Sequence, residues 1–496
     1  MSTKFDLNRY PIPNKLFIHG KWVDSKGGKI REFTSIVSGQ SICKETNGDV
    51  KDVQWANAED VDAAVESATK GLEAWQATSK VQKKSLLLNF AKLVREHTDE
   101  LNWLESILVG KASGFGRFEL NAVFNTIEYY ATLMDKFPGE TASFDDKTLK
   151  YTYPQPYGVC AAILPFNGPL MCAGMKLSPA LAAGNVIILK TSDTNPFSCL
   201  RLAELAIEAG IPPGVVNCIT GHVESGHALS SHMKIRKISF TGGIAVGKQV
   251  QIAAAKSNLK SVTLELGGKS PVIVFPDADL DKAAQMCTYF LTLNGQGGAL
   301  PTRAYIHESI FDDVLSRVKA VAQSYHENMR SDPLLEKTFS MPLFHARQRD
   351  IVRSYIEMSK KEATMIVDGC PEDPSDPYIG PTIFTNPLPT AKILREEIFG
   401  PVLVICAFND TEKVIELAND SEYGLGAFVC TKDIGIALQL ANRLEAGSVG
   451  INSMPVSNDI PFGGWKQSGQ NAENGLEGYR DWFQLKTVVM EASLNG

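Results

Sequence analysis

Between residues 58 and 135 the apolar positions keep helical spacing: Val61, Ala64, Val65, Ala68 and Leu72 share one face, and Leu86, Leu87, Leu88, Phe90, Leu93 and Val94 repeat the pattern. At Gly158 the period changes. Short β-branched runs at 159–164, 186–190, 215–220 and 237–240 predict strands, and amphipathic stretches at 175–183, 197–209 and 247–256 predict helices between them. Such alternation builds βαβ units around a parallel sheet. A second alternation follows: strands at 271–275, 304–306, 364–367, 402–407 and 448–452, with helices at 280–291 and 309–325. Two α/β units are therefore expected. Residues 145–156 and the tail beyond Tyr479 are β-prone and flank these units, so they pair with each other or with a neighbouring subunit.

Length and composition narrow the function classes. A chain of 496 residues with 44% hydrophobic and 21% charged residues buries a large core and divides into two or three domains. The formal charge of −7 argues against nucleic acid or an anionic membrane as the main partner and leaves small-molecule chemistry as the expectation. Nine cysteines, at 43, 160, 172, 199, 218, 287, 370, 406 and 430, include no CxxC pair. They read as reduced thiols, with no disulfide framework and no metal site. The first residues contain no apolar signal core, and the apolar stretch 159–189 is broken by Pro165, Asn167, Pro169, Lys176, Pro179 and Asn185. A cytoplasmic protein without a membrane span is expected.

Three segments carry chemistry. Phe240-Thr241-Gly242-Gly243-Ile244-Ala245-Val246-Gly247 stands where a strand passes into a helix, a place where glycines let a pyrophosphate approach free N–H groups. A plain turn is the alternative. Lys190-Thr191-Ser192-Asp193 puts a cation and a carboxylate at a strand's carboxyl end, where an open α/β sheet holds an adenosine ribose; a solvated charge pair is the alternative. Leu264-Glu265-Leu266-Gly267-Gly268-Lys269 sets one carboxylate among apolar residues. Poor solvation there raises its pKa toward that of a general base, although a capping or paired glutamate has the same pattern. Asn294-Gly295-Gln296-Gly297-Gly298-Ala299-Leu300 reads by spacing as a helix end and turn.

With Pro165-Phe166-Asn167-Gly168-Pro169, Glu396-Glu397-Ile398-Phe399-Gly400-Pro401 and Pro461-Phe462-Gly463-Gly464-Trp465-Lys466, these make seven co-linear motifs. In that order the chain resembles the aldehyde dehydrogenase superfamily from about residue 17 to 490. The resemblance implies an α/β fold with a Rossmann-like NAD(P)-binding domain (1–137 and 157–266) and a second α/β, catalytic domain (267–465). It also implies a small β oligomerisation arm with the C-terminal tail (138–156 and 466–496), in a homodimer or homotetramer acting on a small-molecule aldehyde. In the family a cysteine thiolate attacks the aldehyde, hydride passes to the nicotinamide, and a base-activated water hydrolyses the thioester. By motif, Asn167 is the oxyanion donor and Glu265 the general base. Lys190 and Asp193 hold the adenosine ribose, Gly242, Gly243 and Gly247 lie at the pyrophosphate, and Glu397 and Phe399 position the nicotinamide end.

The nucleophile position falls on Gly298, which has no side chain. Three explanations compete: an exchange made to trap ligands, a natural change that left a non-catalytic cofactor-binding or scaffold protein, or chemistry that needs no thiol, such as direct-hydride oxidation of an alcohol. The family's substrate tunnel is often aromatic. The matching positions here are Gly168, Cys172, Met175, Thr292 and Val456, with Phe462 the aromatic kept, so a bulky aldehyde is the expected substrate. Cys172 reads as a lining residue rather than a surrogate nucleophile. Asp193 stands where the family often has glutamate. NAD is the expected cofactor, and the shorter side chain leaves room for NADP.

Overall fold

A computed structural model describes residues 4–27, 29–42, 53–145 and 148–491. Cys43, one of the nine cysteines, lies outside them. The first sheet runs, edge to edge, Lys21–Val23, Leu16–Ile18, Val216–Ile219, Val186–Lys190, Val159–Ile163, Lys237–Thr241, Ser261–Glu265 and Gly469–Gln470. Its five central strands are parallel, and their near-continuous Val, Ile and Ala runs are buried on both faces. Strand order reverses between Val159–Ile163 and Lys237–Thr241, so a crevice opens at the carboxyl ends of those two strands. The segments carrying Asn167 and Gly242 leave from this point.

The second sheet runs Thr364–Val367, Thr382–Thr385, Val402–Phe408, Pro301–His307, Ser270–Val274, Gly426–Cys430 and Ser448–Ile451, parallel except for the first pair. A third sheet pairs Phe483–Glu491 with Thr148–Pro156 over nine residues, and Thr141–Asp145 with the other edge of Thr148–Pro156. The two β-prone flanking segments therefore pair with each other. Lys237 anchors the C-terminal segment on the first sheet, donating to Asp481 at 2.6 Å and lying over the Trp482 ring.

The helices of residues 58–133 form where the apolar period placed them, as Ala58–Ala77, Lys80–Glu96, Thr98–Val109 and Ser113–Leu133. Asn57 and Ser79 begin the first two with capping boxes. Ala58–Ala77 comes unusually close to the loop before Val216–Ile219. A Cβ built on Gly71 would lie 2.3 Å from the Gly214 carbonyl carbon, and Gly214 itself has φ +87°. Gly71→Ala is expected to lift the helix off the sheet and destabilise the protein by about 1–3 kcal/mol, measurable as a lower urea midpoint with an unchanged slope.

Two boundary differences have a local reason. The helix expected from 175 begins at Pro169, because proline at the first helical position needs no N–H partner. The helix expected over 280–291 ends at Thr288; Leu293, Asn294 and Gly295 all have left-handed backbone, which an α-helix cannot contain. Among elements the periodicity did not mark are the helix Ala346–Ser359 and the strands Ser261–Glu265, Thr382–Thr385 and Gly426–Cys430.

Candidate active site

The carboxyl end of Ser261–Glu265 in the first sheet leads through residues 266–269 to the amino end of Ser270–Val274 in the second. A Cβ on Gly268, which precedes the strand Ser270–Val274, would lie 2.1 Å from the Gly298 carbonyl oxygen, which precedes Pro301–His307. The segment Glu396–Pro401 leads into Val402–Phe408 at the same place.

The strand Lys237–Thr241 passes through Gly242 into the helix Ile244–Lys256. Gly243 is the N-cap, and among the described residues no side chain accepts from the helix's first N–H groups. A Cβ on Gly243 would meet nothing within 4 Å, so the space over this helix start is open to an anion. Gly247 also serves packing. A Cβ there would lie 2.6 Å from Leu266, so glycine lets the helix approach the strand carrying Glu265. Two strands away, at the carboxyl end of Val186–Lys190, Lys190 donates to the Thr191 carbonyl at 3.1 Å. Burial pushes its amine down to about 8, and Asp193 opposes that shift. An uncapped helix start beside a cation and a carboxylate fits a dinucleotide's phosphates and ribose.

Glu265 ends the strand Ser261–Glu265 and is 4% exposed, and neither carboxylate oxygen has a hydrogen-bond partner among the described residues. Burial, then the nearby Glu473, raises its pKa well above the ordinary value, with Lys176 opposing. Lys176 is fully buried; it contacts the Glu473 carboxylate and donates to Thr241 Oγ1 at 2.8 Å, and Ser239 donates to Glu473 at 3.1 Å. Burial works against the Lys176 ammonium, but its acidic neighbours, led by Glu473, outweigh it and hold the pKa above its ordinary value. A carboxyl without partners beside a charged, hydrogen-bonded pair can gain and lose a proton without exposing an isolated charge.

Gly298 lies next to this carboxyl's strand. Of the loop's glycines, Gly295 is required by its backbone: φ is +76°, and a Cβ would be 2.0 Å from the Gly400 oxygen. Gly298 is not. Its φ lies outside the left-handed region, and a Cβ would sit 3.3 Å from Leu266 O, 3.4 Å from Leu425 Cδ2 and 3.5 Å from Gly267 Cα. A side chain at 298 has room and would point toward the turn after Glu265. Asn167 reaches the same loop, its Nδ2 donating to Gln296 O at 2.7 Å. Gln296 is fully buried; its Nε2 donates to the carbonyls of Leu293 and Pro342 and its Oε1 accepts from Phe344 N, which pins the loop.

Glu397 lies against the Gly267-Gly268 turn. Gly268 N donates to its Oε1 at 3.0 Å, and a Cβ on Gly267 would collide with the carboxylate. Burial pushes Glu397 up to about 7, with the Gly268 N–H and Lys269 opposing. Phe399 has φ +56°, strain the site must support, and Gln348 helps by donating to the carbonyls of Ile398 and Phe399 at 2.9 Å each. The Phe399 ring packs 5.8 Å from that of Phe166, the neighbour of Asn167. Lys269 is buried without a partner among the described residues. Burial, then Arg303, pushes its amine down to about 7.

Cys172 and Met175 are half-buried positions on the helix Pro169–Ala183, and Thr292 and Phe462 are half-buried as well. Phe462 bridges Glu473 through the backbone, while Val456 is 42% exposed in the preceding loop. Burial raises the Cys172 thiol to about 12, which leaves no thiolate near neutral pH. Gly168 is needed for space, since a Cβ there would lie 2.9 Å from Glu119 Oε1. Lys176, Glu473, Gln296, Lys269 and Glu119 were not picked out by sequence reasoning. Lys176 and Glu473 stand 297 residues apart, and the only signal was a charge inside an otherwise apolar run.

A family profile described as the aldehyde dehydrogenase family matches residues 34–488. An aldehyde dehydrogenase of Emericella nidulans is 39% identical over 485 residues, covering 97% of this chain and 95% of its own length. "Aldehyde dehydrogenase [NAD(P)+] 2" of Saccharomyces cerevisiae is 39% identical over 494 residues, with 97% and 96% covered. Among solved structures, the gamma-glutamyl-gamma-aminobutyraldehyde dehydrogenase of Burkholderia cenocepacia superposes with a TM-score of 0.92 at 36% identity, covering 98% of each chain. A cysteine-to-alanine variant of the P. syringae indole-3-acetaldehyde dehydrogenase, in complex with NAD+ and IAA, gives 0.92 at 33%, again with 98% of each chain covered.

Proposed function

Because this chain belongs to the aldehyde dehydrogenase family, we propose that its framework takes a bulky aldehyde toward the carboxylic acid with NAD, and that Gly298 leaves it without the attacking thiol. The type of chemistry, NAD(P)-dependent oxidation at an aldehyde, is that of its relatives. NAD(P) supplies the two-electron acceptor. In the proposed roles, Asn167 donates to the substrate oxygen, Glu265 takes a proton from water, and Lys176 stabilises the charge that Glu265 carries when deprotonated, while Glu473 disfavours it and keeps the carboxyl basic. Gly242, Gly243 and Gly247 shape the pyrophosphate site, Lys190 and Asp193 hold the adenosine ribose, and Glu397 and Phe399 position the nicotinamide end. We assign 1–137 and 157–266 to cofactor binding, 267–465 to catalysis, and 138–156 with 466–496 to an oligomerisation arm. In that arm Leu485 and Val489, 73% and 64% exposed, support a homo-oligomer. Eight unpaired cysteines among the described residues support a cytoplasmic setting; no described helix is long and apolar enough to cross a membrane.

The observation that carries this reading is the buried Glu265 carboxyl, without a hydrogen-bond partner among the described residues, next to the turn that the Cβ position of Gly298 faces. The P. syringae variant with one cysteine changed to alanine, in complex with NAD+ and IAA, supports ligand binding by such a framework after loss of a cysteine. A second reading, direct oxidation of an alcohol with Glu265 as base, rests on the same carboxyl. Gly168, Cys172, Met175, Thr292 and Val456 support a wide tunnel, closed on one side by Phe462. The test is NAD(P)H formation and ligand binding by the unmodified chain over aldehydes and alcohols of increasing size. The expected result is polycyclic aldehydes bound more tightly than acetaldehyde, with little turnover. A preference for acetaldehyde sinks the wide tunnel, and turnover of alcohols alone selects the second reading.

A further inference from the structure

Asp193 does not stand free at the adenosine end. His222, the residue before the helix Val223–Ser231, places Nδ1 on the Asp193 carboxylate. Arg31 approaches from the other side: its NH1 donates to the Asp193 carbonyl at 2.7 Å and lies 4.0 Å from Oδ2. Trp55 holds both side chains in place. Its ring stacks on the His222 imidazole, with centroids 5.4 Å apart and planes 20° apart, and the Arg31 guanidinium sits 5.3 Å above it. Sequence spacing shows none of this, since Arg31, Trp55, Asp193 and His222 come from four separate segments.

A carboxylate at this position excludes a 2′-phosphate by repulsion between like charges, and only while its own charge is uncompensated. Here two cationic or proton-donating groups face the carboxylate, and both are partly open to solvent, with side-chain exposures of 39% for Arg31 and 59% for His222. A guanidinium offers a phosphate two parallel donors, and the imidazole adds another. We propose that Arg31 and His222 neutralise Asp193 and receive the 2′-phosphate of NADP, so that the chain binds NADP(H) and NAD(H) with comparable affinity. This rests on the ribose site assigned above, and it revises the expectation that Asp193 selects NAD.

The test is titration of NADH and NADPH into the full chain by calorimetry, alongside Arg31→Gln and His222→Phe, the latter keeping a ring against Trp55. In the unmodified chain the two dissociation constants should agree within about tenfold. Arg31→Gln should weaken NADPH by about tenfold or more and NADH by less than about threefold, with a smaller selective loss in His222→Phe. NADH affinity then serves as the folding control for each variant. NADPH bound more than about a hundredfold more weakly than NADH by the unmodified chain, or equal losses for both nucleotides in both variants, overturns the proposal. NADH binding without NADPH binding overturns this proposal alone; failure of both nucleotides overturns the cofactor-site reading with it.

Discussion

Gly298→Cys is expected to raise the rate of aldehyde-dependent NAD(P)H formation by about a thousandfold or more, since loss of a covalent nucleophile removes most of a catalyst's rate. The geometry permits the exchange. The backbone at 298 is not left-handed, and the nearest atom to the new Cβ, Leu266 O at 3.3 Å, has to give by only a few tenths of an ångström. The same exchange at Gly295 would fail on both counts. The restored rate should depend on pH in a defined direction. Glu265 acts as a base only when deprotonated, and burial holds its pKa well above the ordinary carboxylate value, so turnover should rise with pH well beyond the range in which an exposed glutamate titrates. Adding Glu265→Gln should remove about 100-fold of the gain and flatten that rise. Steady-state kinetics of the single and double variants between about pH 5 and 9 check both effects. No gain from Gly298→Cys, with nucleotide still bound, would move the assignment to a scaffold or to direct alcohol oxidation.

How far the sequence discloses this site depends on how local each signal is. The glycine turn at 242–247 is legible because strand, turn and helix follow one another in the chain, and a parallel sheet forces the strand ends to one side. The helix Ala346–Ser359 is not legible: only Gln348, Val352, Ile356 and Ser359 are buried, and two of those are polar, so no apolar stripe stands out. The helix that ends at Thr288 is expected to reach Leu291 because Phe290 and Leu291 continue the apolar pattern, whereas the chain tightens there into a 3-10 segment, Tyr289–Gly295. Glu265 was identified by its apolar neighbours, but Lys176 and Glu473, which set its electrostatics, meet only when the helix Pro169–Ala183 and the segment before Gly475–Arg480 pack together. Asp193 shows the same limit, since its position was readable and its captors were not.

Lys111→Met is expected to cost about 3–5 kcal/mol of stability at about pH 8, the range for removing one partner of a buried ion group. Lys111 is fully buried and contacts the carboxylates of Glu105 and Glu119, themselves 1% and 2% exposed; Ser198 Oγ donates to Glu105 at 2.8 Å. Burial raises Glu119 to about 7, Lys111 pulls it down, and Glu105 adds to the rise. A raised folded-state pKa means that the group's contribution is present below its unfolded value of 4.5 and lost as pH climbs toward 7. In the variant the pull of Lys111 is gone, so Glu119 takes up its proton at a higher pH than before. The loss should therefore shrink as pH falls, to less than about half its pH 8 value by about pH 5. Urea denaturation at the two pH values measures it. An equal loss at both would mean that only packing was removed. Because Glu119 Oε1 lies 2.9 Å from where a Cβ of Gly168 would go, the variant's unpaired carboxylates also press on the loop that carries Asn167. Weaker substrate binding should accompany the lost stability at the higher pH and recover together with it at the lower.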